Sequence, residues 1–185
     1  VAFGAGLAIE RIAHAVAVDS FAASPGDHQD IESKESQFMP EIQHLIKIRA
    51  AEDKAYQALS NAEGIQNWWT RDATLNSQVG GAGEFGFYDH RMVITVKVTE
   101  LVPTSRVAWG NVSSTGGAFD GTTISFDLTS DRDVVSLLFS HRGFKASGNN
   151  IASATTRWGF YLLSLKRYLE TGKGTPNPDD AELIR

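Results

Sequence analysis

From residue 41 the chain alternates apolar and polar positions. In "EIQHLIKIRA" (41–50), Ile42, His44, Ile46 and Ile48 fall in phase. Successive side chains of an extended strand point to opposite faces, so a period of two predicts a half-buried strand. The period then changes. In "EDKAYQAL" (52–59), Ala55, Tyr56 and Leu59 form a helical stripe. Ser60 and Glu63 stand at capping-box spacing, which predicts a second short helix from Asn61 to about Trp69.

Strand patterns dominate the next stretch. Phe85 and Phe87 lie two apart in "GGAGEFGFYD" (80–89). "RMVITVKVTELV" (91–102) sets Met92, Ile94, Val96 and Val98 against Thr95, Lys97 and Thr99, and Pro103 stops it. "RVAWGN" (106–111) puts Val107 and Trp109 on one face, and "TTISFDLTS" (122–130) does the same for Ile124, Phe126 and Leu128. After a turn at Asp131-Arg132-Asp133, "VVSLLFSHRGF" (134–144) carries Val135, Leu137, Phe139 and His141 in phase. Short strands with local turns predict an antiparallel meander, because parallel neighbours need long crossovers.

A long helix closes the pattern, with Asn149 or Asn150 as its cap. Ile151, Trp158, Tyr161, Leu162, Leu165, Tyr168 and Leu169 repeat at three to four residues, Lys166, Arg167 and Lys173 suit its C-terminal dipole end, and Gly172 and Pro176 stop it. About twenty residues at ~1.5 Å each reach roughly 30 Å, enough to cross a sheet. Residues 175–185 read as a polar tail. A sheet with one apolar face needs a cover, and this helix is the one element long enough to provide it. The predicted class is α+β: an antiparallel sheet of about six to seven strands against a long C-terminal helix, with two short helices after strand 1.

Composition narrows the chemistry. The chain has no cysteine, which excludes disulfides, thiolate zinc sites and a cysteine nucleophile, and fits a reducing, cytoplasmic setting. The net charge is −5 and no basic cluster interleaves with aromatics, so no nucleic-acid partner is expected. No apolar run reaches the ~18 residues of a membrane span, so no membrane partner is expected either. Residues 1–40 differ from the rest: 1–24 are alanine-rich and 25–37 polar. Glu10 and Arg11 break the apolar run that a secretory signal would need. This leader is expected to be disordered or dispensable.

Three local words resemble a known family. They are "AYQALSNAEGIQNWWT" (55–70), "SHRGF" (140–144) and the Trp-led final helix "WGFYLLSLKRYLETGKG" (158–174). In this order they resemble the SRPBCC superfamily, the START/Bet v 1-like helix-grip fold. Within it they resemble the branch named for the activator of Hsp90 ATPase, C-terminal domain. The resemblance covers residues 41–174. It implies a curved sheet gripping the last helix, with a cavity between them for an apolar or aromatic small molecule. It implies no single function, since such folds serve carriers, cyclases and chaperone regulators alike.

The candidate ligand-binding face comprises Trp69, Phe85, Phe87, Met92, Ile94, Trp109, Phe126, Phe139, His141, Trp158, Tyr161 and Leu165. Its polar points are His141, the Tyr161 hydroxyl and Arg157. Mostly apolar walls with few polar groups describe small-molecule pockets, and equally a filled core. Of the adjacent Trp68 and Trp69, one is expected in the core and one at the cavity rim. Asp89-His90 reads as turn chemistry. The five histidines show no paired ligand spacing, so no metal is expected, and no other cofactor is implied. Ser153, Thr155 and Thr156 lack a His/Asp partner at motif spacing. No catalytic set is assigned; His141 and Tyr161 would serve if chemistry occurs.

The leading expectation is therefore a small-molecule binder, monomeric or homodimeric, with a hydrophobic or aromatic ligand. A cyclase- or dehydratase-like enzyme in the same cavity comes second. A chaperone-regulating module comes third, since a full chaperone activator would be expected to have two domains. A chain starting at Met39 should melt at the same temperature as the full chain; a loss of several degrees would show that the leader belongs to the fold.

Overall fold

The alternation at 41–50 becomes β1 (Ile42–Arg49), the first strand of the computed structural model, which describes residues 41–145 and 148–180. The leader lies outside the described residues. Two short helices follow, α1 (Glu52–Ser60) and α2 (Ala62–Gln66). Then come β2 (Asp72–Leu75), β3 (Ala82–Phe87), β4 (Met92–Val102), β5 (Arg106–Ser114), β6 (Thr123–Asp131) and β7 (Val134–Arg142). The last helix is α3 (Gly148–Thr171).

The strands form one antiparallel sheet in the order β1-β7-β6-β5-β4-β3-β2. Register brings the predicted apolar sets onto one face. Ile42 lies opposite His141, His44 opposite Phe139 and Ile46 opposite Leu137. Phe126 meets Phe139 across the next pair, and Trp109 meets Ile124. The β4–β5 register slips twice, between Thr95 and Val96 and between Val98 and Glu100. Such irregularities bend a strand and increase its twist, which helps the sheet curl around a helix.

The structure departs from the sequence reading in four places. The cap of α2 is Asn61, not Ser60: Gly64 N–H donates to Asn61 Oδ1 at 2.7 Å. The helix ends at Gln66, so both tryptophans lie beyond it, on a turn. Strand β2 was not predicted. Its four residues contain one buried side chain, Ala73, and its identity comes from pairing with β3, where Ala73 faces Phe85. The predicted caps Asn149 and Asn150 lie inside α3, which starts at Gly148.

The fourth departure is the polar tail. Helix α3 does stop at Gly172, which has φ +80° and donates to Tyr168 O at 2.7 Å. Residues 175–180, however, fold back onto the domain. Asn177 N–H donates to Trp69 O at 3.0 Å and Arg71 N–H to Asn177 O at 3.1 Å. Asp180 is fully buried and accepts from Asn177 Nδ2 at 2.8 Å and from the Tyr161 hydroxyl. Polar composition misleads here because these polar groups are satisfied by one another and by main chain, so burial leaves none unpaired. Gly174 fits the same junction: a Cβ there would sit 2.2 Å from Asn67 O.

Trp68 ties the short helices to this junction. Its indole N–H donates to Ala58 O at 2.9 Å, and its carbonyl accepts from Ser164 Oγ at 2.8 Å. A chain ending at Gly174 should therefore lose about 2–4 kcal/mol of stability, because buried groups including the Tyr161 hydroxyl lose their partners. Urea unfolding of this chain, beside one ending at Asp180 as control, checks it. Coincident curves would show that the fold-back carries no stability.

Candidate functional site

A cavity of about 220 Å³ lies between the concave face of the sheet, the first turns of α3 and the β5–β6 loop. The sheet contributes Phe87, Met92, Ile94, Asn111, Ile124 and His141, and the α2–β2 turn contributes Trp69. The loop adds Thr115, Ala118 and Phe119. From α3 come Asn150, Ser153, Ala154, Arg157, Trp158 and Tyr161, whose three-to-four spacing puts them on one helical face.

Of the residues predicted from sequence, Trp69, Phe87, Met92, Ile94, His141, Trp158 and Tyr161 come together on this wall. Phe85, Trp109, Phe126, Phe139 and Leu165 do not line it; each is fully buried behind the lining. Trp109 stacks on Trp69 with centroids 5.9 Å apart and rings 8° from parallel. Phe126 meets Trp109 edge-on at 5.2 Å, and Phe139 sits 4.3 Å from Trp158. Neither tryptophan of the Trp68-Trp69 pair is a rim residue: their exposures are 0% and 2%. Trp69 is the floor of the cavity.

Sequence reasoning missed Asn111, Ile124, the loop residues and the helix residues Asn150, Ser153 and Ala154 as lining groups. Two of these carried a signal. Asn111 continues the phase of Val107 and Trp109, and Ile124 that of Phe126. The loop residues had none, because a loop's path is set by tertiary packing.

The polar groups of the wall form a directed network. Trp158 Nε1–H donates to His141 Nδ1 at 3.1 Å. An indole nitrogen only donates, so His141 Nδ1 carries no proton and Nε2 does. Nε2–H then donates to Thr122 Oγ1 at 2.8 Å, and the Thr122 hydroxyl donates to Phe119 O at 2.6 Å. Asn111 Nδ2–H also donates to Thr122 Oγ1, at 2.6 Å. Asn111 Nδ2 also lies 3.3 Å from His141 Nε2. Asn111 Oδ1 is left buried with no partner among the described residues.

His141 is 1% exposed, and burial lowers its pKa to about 3. The network acts in the same direction, since a proton on Nδ1 would confront the Trp158 N–H. A general base for neutral pH needs a pKa near the working pH and a free nitrogen, and His141 has neither. The Tyr161 phenol is held far above its ordinary range by burial and by its bond to Asp180. Among the described residues, no group of three His, Asp or Glu side chains could hold a metal ion.

A second chain of contacts braces the far wall. Arg157 donates to the Tyr88 hydroxyl and lies 5.7 Å from the Tyr88 ring centroid. Tyr88 N–H donates to Asn177 Oδ1 at 3.0 Å. Tyr88, Asp89 and His90 all have φ between 55° and 62°. Left-handed backbone costs roughly 1–2 kcal/mol per non-glycine residue, so this β3–β4 turn is held by its contacts. Among them, His90 Nδ1 lies 2.6 Å from Asp72 Oδ2, and this hydrogen bond raises the His90 pKa.

The burial of His141 has a pH signature. Its folded pKa lies below the ~6.5 of the unfolded chain. Between the two values the unfolded state binds more protons, so stability is full above the unfolded value and falls as pH drops toward the folded one. The slope from this residue approaches about 1.4 kcal/mol per pH unit, the single-proton limit. His141→Gln keeps an acceptor for Trp158 and removes the titration, so its stability between pH 6.5 and 4 should be the flatter of the two. An NMR titration placing His141 near its ordinary pKa would contradict the network.

Residues 49–170 match the family described as Activator of Hsp90 ATPase homolog 1-like protein. The Aha1 dimer from Colwellia psychrerythraea, a solution structure, is 35% identical with a TM-score of 0.66, covering 74% of this chain and all of that one. Protein MLL2253 from Mesorhizobium loti shares 18% identity at a TM-score of 0.62, over 70% of this chain and 96% of its own. A conserved protein of unknown function from Enterococcus faecalis shares 18% at 0.60, over 78% and 79%. No curated protein matches the chain significantly. The two likenesses at 18% speak for the fold alone. Among the described residues no helix is long and apolar enough to cross a membrane. The family match, the relative from Colwellia and the sheet gripping its last helix agree: the chain belongs to the Activator of Hsp90 ATPase homolog 1-like family.

Proposed function

We propose that this protein binds a small apolar or aromatic molecule in the cavity between the sheet and α3. The observation that carries the reading is the lining itself: aromatic rings from three directions, Trp69, Phe87 and Trp158, around about 220 Å³. An apolar protein cavity of ~150 Å³ can hold benzene, whereas pockets for drug-sized ligands run to about 300–1,000 Å³. A ligand of one or two rings is the match. The relative from Colwellia is a dimer, which supports a homodimer here. Absence of cysteine supports a cytoplasmic setting.

An enzyme in the same cavity has less support. His141 is neutral with both ring nitrogens engaged, and the Tyr161 hydroxyl, its pKa raised, spends its hydrogen bond on Asp180. The family's description favours a second reading, regulation of a chaperone ATPase. Stimulation of Hsp90 ATPase turnover by the purified chain would support that reading directly.

The cavity reading is tested by tryptophan fluorescence. One- and two-ring aromatic probes should quench emission saturably at micromolar concentrations. Ala154 is buried and lines the cavity, so Ala154→Leu should occupy the space and weaken binding about tenfold or more, or ~1.4 kcal/mol, with the fold retained by circular dichroism. Failure of every probe to saturate would mean that the space is closed to ligands.

A further inference from the structure

Strand β1 ends the sheet on one side, and among the described residues no strand pairs with its outer edge. Arg49 N–H donates to Glu170 Oε1 at 2.8 Å, and Lys47 O accepts from Lys166 Nζ at 2.6 Å. The main-chain groups of these two residues therefore point away from β7. Peptide groups alternate along a strand, so the N–H and C=O of Gln43 and Leu45 point outward too. At Lys47 and Arg49, side chains from α3 stand in for a missing strand. At Gln43 and Leu45 no described group does so. An unpaired edge of this kind is a template for another strand.

The centre of this edge is apolar, where a solvent-facing edge is ordinarily guarded by charge. Leu45, at 67%, is the most exposed large apolar side chain among the described residues. Leu138, opposite it on β7, is 37% exposed on the same convex face. Leu163, 61% exposed, stands three residues before Lys166 and so on the side of α3 that reaches the edge. Charges of opposite sign flank Leu45 at equal distance, Glu41 before it and Arg49 after it. A second β1 laid antiparallel about a two-fold axis at Leu45 sets leucine against leucine and Gln43 against Lys47. Glu41, which Arg142 holds from the β7 side, then meets Arg49 of the second copy.

Resting on the homodimer reading above, we infer that β1 is the dimerisation strand. A second copy of this chain adds its β1 to the free edge with the axis at Leu45, and the two sheets join into one. The convex face then carries an unbroken row of Leu138 and Leu45 from one copy and Leu45 and Leu138 from the other. Directly opposed side chains decide strand register. An axis at His44 or Ile46 would set Leu45 against Gln43 or Lys47, and an axis at Lys47 would set two lysines together. Main chain of the second copy replaces Lys166 and Glu170 at Lys47 and Arg49, and both side chains turn to solvent.

The test is sedimentation of the full chain over a concentration series, which should show a dimer that dissociates on dilution. Leu45→Lys sets two ammonium groups together and should weaken the dimer about tenfold or more. Val112→Lys, at a side chain 60% exposed on β5, should leave it unchanged. Both sites are exposed, so circular dichroism should show the fold retained. The chain has no cysteine, so introduced ones report the register. Leu45→Cys alone should give a disulfide between copies under mild oxidation, because paired residues hold their Cα atoms about 5.5 Å apart, within disulfide range. Gln43→Cys alone should give none, since the two positions lie ~13 Å apart along the strands. Gln43→Cys combined with Lys47→Cys should crosslink. A chain monomeric at every concentration would overturn this inference and the homodimer reading together. A dimer indifferent to Leu45→Lys would overturn the surface and leave the homodimer reading standing. Crosslinking by Gln43→Cys in place of Leu45→Cys would overturn the axis. Slow hydrogen exchange of the Leu45 amide in the monomer would show that another segment of the same chain covers the edge, and would overturn the inference as well.

Discussion

The Trp69 ring touches three elements at once. Its ring lies 4.7 Å from Phe85 and 5.6 Å from Phe87 on β3, 5.9 Å from Trp109 on β5 and 5.1 Å from Trp158 on α3. Its carbonyl accepts from Asn177 in the folded-back C-terminal segment. The sheet and its covering helix are thus registered against one side chain, and the closing segment against the same residue's main chain. An aromatic ring suits this role because it buries a large area with few rotatable bonds. The neighbouring Trp68 anchors the opposite side, donating into α1 and accepting from α3. Adjacent tryptophans on a turn therefore serve as one joint between the layers, and the cavity is the space this joint leaves above Trp69.

That space is apolar for a reason that lies in hydrogen bonding as much as in composition. The wall contains His141, Thr115, Asn111, Arg157 and Tyr161, yet most of their polar atoms are turned toward the protein. The sequence Trp158 to His141 to Thr122 to Phe119 O runs in one direction because its first member can only donate and its last can only accept. Such a chain fixes the His141 tautomer and keeps the ring neutral. It turns a residue type associated with catalysis into a structural one.

Conformational strain sits next to the same wall. Three successive left-handed residues at Tyr88–His90 are stabilised from both sides, by Asn177 and Arg157 on one and Asp72 on the other. The β3–β4 turn, the folded-back segment and α3 consequently form one braced corner. Arg157 belongs to this brace and to the cavity together, so occupancy of the cavity and the stability of the corner share a residue.

Elements with strict periodicity were legible without coordinates. The alternations in β1, β4, β6 and β7 and the apolar stripe of α3 follow from side-chain geometry within one element, which depends only on local spacing. So did the inward direction of His141 and the aromatic character of the covered face. Strand β2 was illegible, because a four-residue edge element owes its conformation to its partner β3 rather than to a pattern of its own. The closing role of residues 175–180 was illegible for a similar reason. Polar side chains read as solvent-facing until their partners are known, and Asn177 and Asp180 find theirs more than ten residues away, in Tyr88 and Tyr161 respectively. The sequence by itself determined which side chains of the periodic strands and of α3 face the interior. Tertiary structure alone decided which of them meet a cavity and which fill the core behind it, because a void is the difference between neighbouring surfaces and no single element contains it.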